Sequence, residues 1–125
     1  MSLRSVAWVS GLYDLALALP MLVWADGLAR LFGAPAPVPL INAQLNGVFT
    51  LTLAVGYFWA ARDLHARRGY LWVAGVLAKG LGASLFVLDH ALHGSPSTFL
   101  LFAASDGSLA LWTLVALLRS GASTR

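Results

Sequence analysis

Lys79 is the only lysine in the chain, and it stands in GVLAKGLGASLF (75–86), a stretch that is otherwise soluble in lipid. An ammonium at the centre of a membrane helix costs roughly 2.5–3.5 kcal/mol on insertion scales. It needs carboxylate company, a ligand or a proton to handle. Two acids fall at similar depth in other apolar runs, Asp14 in SVAWVSGLYDLALALPMLVW (5–24) and Asp106 in TFLLFAASDGSLALWTLVALL (98–118). Of the amides Asn42, Gln44 and Asn46 in LINAQLNGVFTLTLAVGYFWAA (40–61), Asn46 comes nearest to that depth. Asp14, Asn46, Lys79 and Asp106 are therefore the candidate ligand-binding layer. With one ammonium against two carboxylates, the odd acid is expected to be neutral, shared, or matched by a bound cation. Unmatched acids at mid-membrane mark proton relays and cation sites. The competing reading is that the cluster only fixes which helix packs where.

Helical spacing points these groups inward. Gly75, Lys79, Gly82, Phe86 and Asp89 share one stripe, with Ala74, Ala78 and Gly82 as a small-residue seam beside it. Ser10, Asp14 and Leu17 share a face, with Tyr13 adjacent. Asn42, Asn46, Thr50, Leu53 and Tyr57 share another, and Phe102, Asp106, Leu109 and Thr113 a third, with Ser105 nearby.

The elements that carry these faces are four apolar runs, 5–24, 40–61, 70–89 and 98–118. Each is near the ~20 residues that cross ~30 Å of hydrocarbon. The chain is 59% hydrophobic and 10% charged, against about 25% charged in a soluble domain. The expected fold is all-α: a four-helix transmembrane bundle, one domain over 1–125. GAPAPVP (33–39) breaks the first two runs apart, because alternate prolines remove donors. RDLHARRG (62–69) is a charged turn in which Asp63 and Arg67 are spaced to pair. HGSPS (93–97) precedes the last run, with Ser97 or Thr98 as its N-cap. DGLARLFGAP (26–35) is too short to cross, and reads either as an interfacial helix or as a plain connection.

Arg4, Arg62, Arg67, Arg68, Arg119 and Arg125 fall on one side if all four runs span, and Arg30 alone on the other. The positive-inside rule then places both termini in the cytoplasm. MSLR followed by an apolar run and VWA (23–25) also has the outline of a cleavable signal peptide, but Asp14 would sit in its hydrophobic region. Trp24, Tyr57, Trp59, Tyr70 and Trp72 lie near the predicted boundaries, as interfacial anchors do.

Other chemistries find little support. The net charge of +3 comes from too few basic residues to suggest nucleic acid. Without Cys there is no thiol nucleophile, disulfide or thiolate metal site. Asp89, His90 and His93 form a weak metal candidate that lacks a fourth ligand. No His lies at mid-depth for haem, Ser10, Ser84, Ser105 and Ser108 have no neighbouring His for a hydrolytic triad, and AKGLG lacks the context of a nucleotide loop. No cofactor is expected.

At GYFWAARD (56–63), LWVAGVLAKGLGA (71–83) and SDGSLALW (105–112) the chain resembles uncharacterised small four-helix bacterial membrane proteins. The resemblance covers about two-thirds of the chain and implies that Lys79 and Asp106 are the group's charged positions; Asp14 is not part of it. In size and layout the chain is also similar to the DoxX-like group. Neither resemblance implies an activity, and a bacterial inner-membrane location follows from the first. Three functions stay open: a module binding a small molecule, lipid or proton; a structural or accessory subunit, partnered or homo-oligomeric; and an intramembrane isomerase using an Asp as acid or base.

Overall fold

The computed structural model describes residues 2–123. The expectations for Arg125 lie outside them. The chain is all-helical: α1 Leu3–Val23, α2 Ala25–Leu31, α3 Leu40–Ala61, α4 Arg68–His93 and α5 Leu100–Ser123. Ser2 opens α1 by accepting a hydrogen bond from the Ser5 amide, which supplies one donor of the first turn with a partner. α1 ends after Pro20, which removes an amide donor from its last turns. The segment at 26–35 is resolved in favour of a short helix. α2 closes in a Schellman motif, with Ala34 N–H on Ala29 C=O and Gly33 N–H on Arg30 C=O. Gly33 supplies the left-handed residue this motif needs, at φ 71°.

Within α4, Leu71–Ala78 winds as a π-helix that ends directly before Lys79. Wide turns of this kind are rare and concentrate at functional sites. α4 stops at Gly94, also left-handed. A 3-10 turn, Ser97–Phe99, leads into α5. Neither Ser97 nor Thr98 caps α5 with its side chain; the Thr98 hydroxyl instead donates to the Phe32 carbonyl at the end of α2.

The sequence predicts four spans. Among the described residues, three helices are long and apolar enough to cross a membrane: Leu3–Val23, Arg68–His93 and Ser97–Gly121. α3 matches them in length at 22 residues, but Asn42, Gln44 and Asn46 dilute its first turns.

α1 packs chiefly along α3, and α4 along α5, with α1 also against α5. The core lies at one end of the molecule. Leu3 from the start of α1, Tyr57 and Ala60 from the end of α3, Leu71 from the start of α4 and Leu117 from the end of α5 form one cluster. Arg68 reinforces that end by donating to Ser120 Oγ and the Leu117 carbonyl. Gly75 lets α4 and α5 approach beside the core: a Cβ there would come within 2.7 Å of Thr113 Cγ2. At the other end α3 parts from α4 and α5. Among the described residues, α3 makes no close backbone approach to Lys79–His93 or to α5.

Two expectations fail in this region. Tyr57 is 1% exposed and belongs to the core; it is no interfacial anchor, because its face of α3 meets α4, where its ring lies edge-on to Tyr70 at 5.4 Å. Trp24, Trp59 and Trp72 do project outward. Asp63 and Arg67 form no ion pair. Asp63 accepts from the Ala66 amide, while Arg67 donates to the Trp59 carbonyl at 2.6 Å and lies 4.5 Å over the Trp59 ring. The turn closes more tightly that way than through a long side-chain pair.

Candidate functional site

Lys79 lies where the packed end gives way to the divergent end. Its ammonium reaches across from α4 to α1 and donates to Asp14 Oδ1 at 2.7 Å. Asp106 Oδ1 on α5 is 3.7 Å from the same nitrogen, an ion pair but longer than a hydrogen bond. The Tyr13 and Tyr57 rings lie 5.0 and 5.4 Å from the ammonium, within range of cation–π attraction. Side-chain exposure is 7% for Lys79, 6% for Asp14 and 18% for Asp106. The two carboxylates therefore differ: Asp14 is enclosed with the lysine, and Asp106 is the more open. Tyr13 and Ser105 hydrogen-bond through their hydroxyls and join α1 to α5 beside the cluster.

Three of the four predicted layer residues thus meet. Asn46 does not join them: it is exposed on α3, with no side-chain hydrogen bond among the described residues, although it lines the same cavity. The reason is the divergence of α3, which carries its amides away from α4 and α5.

That divergence leaves a cavity of about 520 Å³. Asp14, Lys79 and Asp106 contribute to its wall, and α2 with residues 34–37 lines its far part. Much of the remaining wall is aromatic. Phe32, Phe86, Phe99 and Phe102 come from the residue after α2, α4, the 3-10 turn and α5, with Phe102 central at 4.7 Å from Phe32, 5.4 Å from Phe86 and 6.1 Å from Phe99. The sequence places Phe86 and Phe102 on the polar stripes but does not foresee the cluster, since Phe32 and Phe99 lie on short elements with no readable periodicity. The volume falls in the 300–1,000 Å³ typical of small-molecule sites, which are mostly apolar with a few polar groups.

The weak metal candidate is not assembled. Asp89 Oδ1 and His93 Nδ1 are 3.0 Å apart on an exposed turn, but His90 Nδ1 is turned to the Ser95 carbonyl at 2.7 Å. Among the described residues no three His, Cys, Asp or Glu side chains are grouped to hold an ion. The Gly94 turn brings Ser95 back over the last turn of α4, and this takes His90 out of the trio.

Comparison with protein-family models, with curated proteins and with solved structures gave no match.

Proposed function

We propose that this chain is a four-span membrane protein that binds a small amphiphilic molecule in the cavity beside Lys79, Asp14 and Asp106. α3 is the fourth span; of its amides, Asn46 borders the cavity. The described arginines at one end, Arg4, Arg62, Arg67, Arg68 and Arg119, support a cytoplasmic side for both chain ends, in a small protein of DoxX-like layout in the bacterial inner membrane. One observation carries the binding reading: the cavity and the buried ions are the same place. An ion pair kept only to register helices needs no hollow beside it. Here an apolar chamber of ligand size runs up to the cluster, and Asp106 faces it partly uncovered.

A second reading, an accessory subunit whose polar layer fixes assembly, draws on the 2.7 Å contact that ties α1 to α4. Purifying the wild type and Lys79→Met in mild detergent separates the two. The binding reading expects a co-purifying small molecule in native mass spectra of the wild type and its loss from Lys79→Met, with the variant still folded. An unfolded or differently assembled Lys79→Met, together with a wild type that carries nothing, favours the structural reading.

A further inference from the structure

We propose that the molecule held at this site is a neutral membrane alcohol, whose hydroxyl group bridges Lys79 and Asp106 while its apolar body lies along the phenylalanine wall. The inference rests on the binding reading above and narrows its chemistry.

An ammonium carries three donors. Asp14 takes one, and among the described residues that is the lysine's only hydrogen bond. Asp106 carries acceptors and stands 3.7 Å from the nitrogen, close enough for attraction but too far to take a proton bond. A gap of this size suits one oxygen placed to the side of both groups, about 2.8 Å from each. With Asp106 ionised, that oxygen must accept from the ammonium and donate to the carboxylate. A hydroxyl does both. A carbonyl or an ether can only accept, and an ammonium can only donate.

Charge points the same way. A second anion would enter beside two carboxylates matched by one ammonium, and like charges in a weakly polar site repel strongly. A neutral hydroxyl adds no charge. Space beside Asp106 is available because Asp106 itself lines the cavity. Beyond the polar end, Phe32, Phe86, Phe99 and Phe102 present hydrocarbon, so the part of the ligand that lies along them is apolar.

The test uses the full chain in phosphatidylcholine nanodiscs, with empty nanodiscs to subtract partitioning. Four ten-carbon probes are titrated: 1-decanol, its methyl ether, decanoate and decylamine. Saturation is read by calorimetry and by thermal shift. We expect decanol to bind at least tenfold more tightly than each of the others, and Asp106→Ala to bring decanol down to the level of the ether. Equal affinity of alcohol and ether, or preference for decanoate or decylamine, overturns the hydroxyl inference and leaves the cavity a binding site of other chemistry. If none of the four saturates the protein, the binding reading falls as well. The comparison among probes in the unaltered protein stands even if Asp106→Ala does not fold.

Discussion

At the scale of single residues the molecule turns on Lys79 and the different company kept by its two acids. Asp14 shares the lysine's enclosure, so removing either partner leaves the other desolvated and uncompensated. Asp14→Asn and Lys79→Met should each lower stability, and the double variant should lose less than the two combined. A double-mutant cycle from denaturant or thermal unfolding in micelles is expected to give a coupling of about 0.5–3 kcal/mol. Additive losses would mean that the 2.7 Å contact contributes little. Asp106 is less enclosed, and Asp106→Asn should cost less than Asp14→Asn in the same assay. The meeting of Lys79 with both acids was legible in the sequence because polar groups in lipid have few cheap orientations. Depth and helical spacing together leave the interior as the place for them. Asn46 was misplaced by the same logic. It assumes that each helix runs straight to its neighbours, and a helix that leans away can keep an amide in a cavity without pairing it.

At the scale of elements, the join between α4 and α5 depends on how closely two backbones can approach. Gly75 sits in the middle of the π-helical segment, opposite Thr113. Gly75→Val would force methyl groups against a side chain that is fully buried and hydrogen-bonded to the Leu109 carbonyl. Overpacking of this kind costs about 1–3 kcal/mol. The variant should melt earlier and, with α4 pushed outward, shift Lys79 away from Asp106; a thermal scan with the decanol titration reads both effects. The small-residue seam on α4 was legible from sequence, but only in part. Both Ala74 and Ala78 border the cavity, but Ala74 is buried and Ala78 exposed. The π-helical turns explain part of the mismatch, since faces drawn at 3.6 residues per turn lose their phase where the winding widens. The short α2 was one of two readings of 26–35, but its tie to Thr98 had no signal, because a seven-residue helix presents too few turns for a face to repeat.

At the scale of the whole molecule, charge and hydropathy predict how it lies in the bilayer. The chain has no cysteine, so single thiols can be introduced without background. Ala36→Cys and Ser97→Cys should react with a membrane-impermeant maleimide on intact cells, and Ala66→Cys only after permeabilisation. Labelling of all three on intact cells would refute a four-span arrangement. The all-helical build and three of the apolar spans were legible from the apolar runs. The hollow was not, because it arises from the way α3 follows α1 and parts from α5, a matter of shape between helices that no single helix encodes.

The off-centre core has a consequence for motion. Leu3, Tyr57, Leu71 and Leu117 lock one end, while the cavity end is spanned mainly by side chains and a short helix. Local opening costs least where few apolar contacts must be broken. Hydrogen–deuterium exchange in nanodiscs should therefore run as a gradient along the helix axes: slowest near Leu71 and Leu117, fastest through 26–38, and retarded in that fast region once the chamber is filled. The molecule would breathe from its hollow end, so an occupant could come and go while the opposite end stays closed.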